Sequence, residues 1–131
     1  MVTKPDPALA KRIYTAVLQI SSGTVASYGE IATVVGGGVE AREVGYALGD
    51  LPTTRQHEVP WQRVVARDGA ISTRGSDQRM LLEAEGVAFD EGGRVIMARH
   101  AWRGPDPAWA AAHGFHTLPN KGERGEQLPL L

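Results

Sequence analysis

The sequence of 131 residues contains no cysteine. Without a thiol the chain cannot form disulfides, bind a metal through thiolates or use a cysteine as a nucleophile. It also lacks an apolar run long enough to cross a bilayer, and its N-terminus lacks the charged and then apolar order of a secretion signal. We therefore expect a cytoplasmic protein that does not contact a membrane.

The sequence also lacks an excess of positive charge, since its net charge is −1. Proteins that coat nucleic acid without specificity usually carry many surplus lysines and arginines. Any contact with a nucleic acid is therefore expected to be local. The segment 61–103 is the best candidate for a positive face, because it holds seven arginines against six acidic residues.

The length and composition fit one compact domain with a modest core. From Gly104 onward the chain carries several prolines and glycines and no sustained apolar period. This pattern predicts a domain over residues 1–103 and a partly flexible extension over residues 104–131. Trp109, Phe115 and Leu118 are more apolar than a linker needs, which leaves docking on the domain or on a partner open.

The first half of the chain has the pattern of a helix-turn-helix. Asp6-Pro7 is a typical helix start, and an apolar stripe then continues to Ile20, before Gly23. Ser27 and Glu30 have the spacing of a capping box, which predicts a short second helix. A run of three glycines separates it from a third helix over about residues 40–48, which Gly49 is expected to end.

The middle of the chain predicts a loop followed by a wing. Residues 50–60 have no period and two prolines, as is typical of a loop. Residues 64–72 alternate as in a hairpin around Asp68-Gly69, a pair that supplies the two positive φ angles of a tight turn. The expected fold class is mainly α with a small β wing, a winged helix-turn-helix.

The outer face of the predicted third helix is unusual in its small residues. At 100° per residue, Arg42, Gly45, Tyr46 and Gly49 share this face. Glycines let a helix backbone approach its partner closely, which favours a narrow groove over a wide one. A solvent-facing side with two glycines is the alternative. The histidines show no metal-ligand spacing, so we expect neither a metal nor another cofactor.

Three segments match one known family in order and in spacing. They read GTVASYGEIA over residues 23–32, EAREVGYA over residues 40–47 and VPWQRVV over residues 59–65. Together they resemble the DNA-binding domain of O6-alkylguanine-DNA alkyltransferases, and the resemblance extends over roughly residues 5–100.

The reactive site of that family is changed in this sequence. Active alkyltransferases read Pro-Cys-His-Arg where this chain reads Pro60-Trp61-Gln62-Arg63. Alkyl transfer needs a thiolate and a neighbouring base, and neither tryptophan nor glutamine supplies them. Tryptophan at this position is the hallmark of alkyltransferase-like proteins, which bind lesions without reversing them. Gln62 departs from the histidine that these proteins usually keep.

The resemblance implies that the protein flips a damaged nucleotide out of the duplex. Arg42 would replace the flipped base in the stack, Tyr28 would help rotate the nucleotide, and Arg74 would lie against the flipped guanine. Glu85, which orients the histidine in active relatives, would keep only a structural hydrogen bond. The implied lesion pocket comprises Tyr28, Val59, Pro60, Trp61 and Arg74, and the implied DNA contacts are Ser27, Tyr28, Arg42, Gly45, Tyr46, Gly49 and Arg63.

The expected partners follow from the same resemblance. They are double-stranded DNA containing O6-alkylguanine and the proteins of nucleotide excision repair. We expect the chain to act as a monomer and to be associated with the nucleoid when it is bound to DNA. We do not expect it to be an enzyme. Two other readings stay open. A winged-helix transcription regulator would read undamaged sequence through the major groove, and a non-catalytic protein-interaction module would show no preference for alkylated DNA.

Overall fold

The computed structural model describes residues 4–71 and 76–119. The first helix, α1, spans Pro7–Val17. The Asp6 carboxylate accepts a hydrogen bond of 2.8 Å from the Leu9 backbone N–H, as the helix-start pattern predicts. The helix ends earlier than its apolar stripe, because tighter turns follow Val17. They still place Ile20 in the core, with 1% of its surface exposed.

The helix-turn-helix consists of α2, Tyr28–Val35, and α3, Ala41–Gly49. Both bonds of the predicted capping box before α2 are present. The turn is made by Gly36, Gly37 and Gly38, which all have positive φ. Gly49 was expected to be the first residue after α3, and this is wrong. Gly49 is the last residue of the helix, and the C-cap is Asp50, whose backbone has the right-handed helical conformation.

The core lies where α1, α2 and α3 pack against one another. The completely buried side chains of this cluster come from all three helices and from the strand after residue 63; they include Ile13, Val17, Ile31, Val34, Val44 and Val64. The Tyr14 hydroxyl donates a hydrogen bond of 2.7 Å to the Ala47 carbonyl, which ties α1 to α3. The domain is therefore mainly helical, as predicted.

The sheet of this domain has two short strands in the described residues. Strand β1, Ala26–Ser27, pairs in parallel with β2, Val64–Val65. The predicted tight turn with two positive φ angles at Asp68-Gly69 is wrong, because only Gly69 has positive φ. The Gly69 carbonyl accepts a hydrogen bond from the Val95 N–H. The turn around Gly69 is thus hydrogen-bonded to a residue far along the chain. Ser72, at the end of the predicted hairpin, lies outside the described residues.

The predicted loop before the wing is partly helical. Residues Thr53–Glu58 form a 3₁₀ helix, and Trp61–Arg63 form a second one that leads into β2. Sequence periodicity did not indicate either, since a 3₁₀ turn of this length has no apolar stripe of its own.

Two further helices follow β2. They are α4, Ser76–Ala84, and α5, Met97–His100. Between them, Phe89 pairs with Val95 in antiparallel fashion. Leu82, Val87 and Val95 form a second apolar cluster with Val25 and Val65.

The described part of the extension, residues 104–119, docks on the domain. Helix α6, Pro107–His113, is capped by Asp106, and Ala110 and Phe115 are buried in the main core. The sequence left open whether this segment docks on the domain or on a partner, and the structure shows docking on the domain. Within the described ranges, every helix is too short or too polar to cross a membrane.

Candidate nucleic-acid interface

A cleft of about 330 Å³ opens beside the helix-turn-helix. One wall is the glycine-bearing face of α3, and the other walls come from the start of α2, the 3₁₀ helices and the start of α4. Its lining residues are Tyr28, Gly45, Leu48, Gly49, Thr53, Gln56, Trp61, Asp77 and Gln78. The structure therefore brings Tyr28, Gly45, Gly49 and Trp61, which are 33 positions apart at the extremes, to one place.

The capping box positions Tyr28 at the cleft. The Ser27 hydroxyl accepts a hydrogen bond of 3.0 Å from the Glu30 N–H, and the Glu30 carboxylate accepts one of 2.9 Å from the Ser27 N–H. Tyr28 is the first residue of α2 and half-buried. Ser27 is buried at 7% exposure, so its hydroxyl serves the helix start and does not face an external partner.

The exposed face of α3 carries the predicted DNA-contacting residues. Arg42 is exposed, and 48% of the Tyr46 surface is accessible. Gly45 and Gly49 follow Arg42 by three and seven positions, so the three residues share one side of the helix. A Cβ added at Gly45 would meet no atom within 4 Å. Internal packing therefore does not require glycine at this position.

Trp61 separates the cleft from a second groove of about 730 Å³. The indole is half-buried and lines both spaces. Pro60 lines the second groove together with the exposed side chains of Met80 and Leu81, while Val59 is buried at 3% exposure. Of the predicted pocket residues, Trp61 and Tyr28 line the cleft. Val59 and Pro60 line the second groove instead, and Arg74 lies outside the described residues.

Glu85 is the centre of a hydrogen-bond network behind Trp61. Its carboxylate accepts hydrogen bonds from the Gln62 amide at 2.9 Å, from the Arg63 guanidinium at 3.0 Å and from the Gly23 N–H at 3.1 Å. Burial alone would raise the pKa of Glu85, but the bonds from Arg63, Gly23 and Gln62 outweigh burial and lower the pKa below its ordinary value. The sequence predicted that Glu85 keeps only a structural hydrogen bond. The structure shows such a bond from Gln62, together with an ion pair to Arg63.

The prediction that Arg63 contacts DNA finds no support in its geometry. The guanidinium forms an ion pair with Glu85 and donates a 2.7 Å hydrogen bond to the Ile20 carbonyl. Its side chain is 18% exposed. These internal partners hold the guanidinium, so Arg63 joins the turn after α1 to the 3₁₀ helix of Trp61, and its contact with DNA stays a prediction.

Sequence reasoning missed two polar residues that hold the site in place. The buried Gln78 amide donates hydrogen bonds to the carbonyls of Gln62, at 3.1 Å, and Val64, at 2.9 Å. Its position four residues before Leu82 was the available signal, because that spacing puts both on one helical face. No sequence pattern indicated a role for His100, whose ring is half-buried between the Gly23 carbonyl and the Ala88 N–H.

The described residues contain no group of three or more acidic or histidine side chains that could hold a metal ion. They do contain a helix-turn-helix whose second helix borders a cleft, which defines the class of helix-turn-helix DNA-binding domains. Residues 8–87 match the family described as "6-O-methylguanine DNA methyltransferase, DNA binding domain". The chain belongs to the alkyltransferase-like, DNA base-flipping branch of this family.

Known relatives are similar over most of this domain. A DNA base-flipping protein of Vibrio parahaemolyticus is 40% identical over 95 residues, which cover 70% of this chain and 93% of the relative. Alkyltransferase-like protein 1 of Schizosaccharomyces pombe is 45% identical over 82 residues, covering 58% and 73% of the two chains. The crystal structure of S. pombe Atl1 in complex with damaged DNA containing O6-carboxymethylguanine is similar with a TM-score of 0.63 and 34% identity, over 75% of this chain and 97% of that chain.

Proposed function

We propose that this protein recognises O6-alkylguanine in double-stranded DNA by rotating the damaged nucleotide into the cleft beside Trp61, without transferring the alkyl group. The observation that carries the proposal is the meeting of Tyr28, the α3 glycines and Trp61 around one cleft. Its volume of about 330 Å³ falls in the range of about 300–1,000 Å³ that is usual for small-molecule sites. A base with a substituent is a ligand of that kind.

The helix face beside the cleft supports close contact with DNA. A glycine inside a helix costs roughly 1 kcal/mol relative to alanine. At Gly45 no atom of the described structure occupies the space of a Cβ, so internal packing does not explain this cost. Close approach of the helix backbone to a narrow minor groove does explain it.

Arg42 is the group proposed to fill the gap that the flipped nucleotide leaves. It is exposed and lies on the same side of α3 as the cleft-lining Gly45. A guanidinium is planar, so it can stack between base pairs while it donates hydrogen bonds to the orphaned base. Tyr28 is proposed to meet the nucleotide as it enters the cleft, and Tyr46 to contact the duplex beside it.

Recognition without repair follows from the chemistry of the cleft wall. Alkyl transfer to protein requires a nucleophile such as a thiolate, and the sequence contains no cysteine. The neighbouring Gln62 amide donates to Glu85 and has no basic nitrogen to activate another group. Trp61 instead offers an apolar surface to the alkyl substituent, which contributes roughly 25 cal/mol per Å² buried.

Competition binding with matched duplexes tests the proposal. We expect a duplex with one O6-methylguanine to compete more strongly than the same duplex with guanine, and we expect Arg42→Ala and Tyr28→Ala each to remove most of that difference. Lys11→Ala is the matched control, since Lys11 is exposed on α1. Equal affinity for both duplexes would contradict the proposal. A preference for one undamaged sequence would favour a transcription regulator, and no DNA binding would favour a protein-interaction module.

Binding without chemistry is useful to a cell only if another activity removes the lesion. We propose that the DNA-bound protein acts as a monomer and directs nucleotide excision repair to the damage. The protein would then act in the cytoplasm, associated with the nucleoid. Adding the protein to a reconstituted excision reaction should raise the rate of incision beside O6-methylguanine. An unchanged or lower rate would contradict this step while leaving lesion binding intact.

A further inference from the structure

The cleft beside Trp61 carries one charged side chain among the described residues that line it. This residue is Asp77, the second residue of α4. It is exposed and also lines the adjoining groove, so Asp77 lies at the boundary of the two spaces. The other described side chains that line the cleft are neutral, so Asp77 carries the one charge among them.

No basic group in residues 4–71 and 76–119 neutralises this carboxylate. The ion pairs of the described chain use Asp50, Glu58, Glu85, Glu83 and Asp68 instead. Arg63 lines the adjoining groove, but its charge is balanced by Glu85 at 3.0 Å. Within the described residues, a ligand group in the cleft therefore meets a carboxylate of Asp77 that has no ion-pair partner.

We infer that Asp77 is a specificity-determining residue that disfavours O6 substituents carrying a negative charge, relative to neutral substituents of the same size. The inference rests on the proposed function, because it concerns a nucleotide in this cleft. S. pombe Atl1 forms a complex with O6-carboxymethylguanine DNA, so the fold itself admits an acidic substituent. The discrimination lies in the single carboxylate of Asp77.

The size of the effect follows from the repulsion of two carboxylates. At separations of roughly 6–8 Å, and with a dielectric between those of a protein surface and of water, the repulsion corresponds to about threefold to tenfold in affinity. Asp77 also lies in the first turn of α4, where an acidic residue stabilises the helix whatever the ligand. A purely helix-stabilising role would change all affinities together and leave their ratio constant.

The test compares two nearly isosteric lesions, O6-carboxymethylguanine and O6-carbamoylmethylguanine, in otherwise identical duplexes. For the wild-type protein we expect the amide to bind about threefold to tenfold more tightly than the acid. In Asp77→Asn the ratio should fall to about one. Affinity for every duplex should also rise, because a negative charge facing a polyanion has been removed. The ratio is therefore the readout.

Glu83→Gln is the matched control. It removes the same charge from the same helix at an exposed position outside the cleft, and the ratio should stay at its wild-type value. A second measurement needs no variant: raising the salt concentration should reduce the wild-type ratio, since ions screen the repulsion of exposed charges. Equal wild-type affinities for acid and amide, or an unchanged ratio in a folded Asp77→Asn, would overturn the inference.

Duplexes with O6-methylguanine and with guanine complete the set. If the wild-type protein prefers O6-methylguanine but binds the acid and the amide with equal affinity, the role of Asp77 is refuted and the proposed function is not. Equal binding of O6-methylguanine and guanine would refute the proposed function, and the inference with it.

Discussion

Trp61 and Gln62 are the residues at which this sequence departs from the reactive site of the active alkyltransferases. The indole stands where active relatives are expected to carry the reactive thiol, and it forms a wall of the cleft. Its neighbour Gln62 donates its amide to Glu85 at 2.9 Å. The two residues together remove both the nucleophile and the base, so restoring only one of them should not restore chemistry.

We therefore expect Trp61→Cys to transfer no methyl group at a useful rate, because the new thiol would lack a base to ionise it. Incubation with DNA carrying labelled O6-methylguanine, followed by measurement of label on the protein, checks this. Trp61→Cys combined with Gln62→His is the informative companion, since Glu85 would then orient an imidazole and transfer should increase. Rapid transfer by the single variant would show that Gln62 is not the missing element.

The ion pair of Arg63 and Glu85 is expected to contribute to the stability of the fold. Both side chains are largely buried, with 18% and 12% exposed. Removing the carboxylate by Glu85→Gln leaves the guanidinium without its counter-charge, which should lower the free energy of unfolding by about 1–3 kcal/mol at neutral pH. Urea denaturation measures the loss.

The same carboxylate predicts a pH dependence. Its pKa is lowered in the folded state, so its stabilising effect is complete above the ordinary value of 4.5 and is lost as the pH falls through the lower folded value. The difference in unfolding free energy between wild type and Glu85→Gln should thus shrink between pH 7 and pH 3. A difference that stayed constant over this range would contradict the assignment.

At the scale of the elements, Arg12 of α1 holds the end of α2 together with residues 104–119, here called the C-terminal arm. Its guanidinium donates hydrogen bonds to the carbonyls of Val35, at 3.0 Å, and Gly114, at 2.9 Å. It also lies 4.3 Å from the centre of the Phe115 ring. One side chain of α1 thus satisfies the C-terminal end of α2 and fixes the residues that follow α6.

We expect Arg12→Ala to lower the free energy of unfolding by about 1–3 kcal/mol, because it removes charged hydrogen bonds and a cation–π contact at once. Arg12→Lys should recover only part of the loss, since an ammonium lacks the planar fork that bridges two carbonyls and stacks on a ring. Lys11→Ala is the control, because it removes an exposed side chain at the adjacent position and should leave stability unchanged. Thermal denaturation separates the three variants, and an Arg12→Ala protein as stable as wild type would contradict the bridging role.

At the scale of the whole molecule, the core includes residues beyond the proposed DNA-binding unit. The division at residue 103 stays a prediction, yet Ala110 and Phe115, with 1% and 8% of their surfaces exposed, belong to the main apolar cluster. Trp109 stacks on Phe115 with ring centres 5.1 Å apart. The arm therefore covers the side of the domain formed by α1 and the end of α2.

Truncation after Arg103 should consequently leave a folded but less stable protein. Uncovering a phenylalanine and its neighbours costs roughly 3–5 kcal/mol. The cleft is lined by residues 28–78, so lesion preference should persist at temperatures where the shorter chain is folded. Chemical denaturation and competition binding check the two parts. Phe115→Ala in the full chain should reproduce a share of the destabilisation, and unchanged stability after truncation would contradict it.

The sequence by itself determined the first three helices, the family and the absence of the thiol. The helix start at Asp6, the capping box at Ser27 and the glycine turn are local signals, because each depends on residues within a few positions of one another. The change to Trp61 and Gln62 is also readable directly, since the segment around it keeps the family's order.

Only the tertiary structure decided how the segments meet. The parallel pairing of β1 with β2, the hydrogen bond from Val95 to Gly69 and the inward position of Arg63 all join residues more than 20 positions apart. Hydrophobic periodicity reports which face of an element is buried but does not report its partner. The charge of Asp77 became meaningful for the same reason, because a cleft exists only once distant elements enclose it.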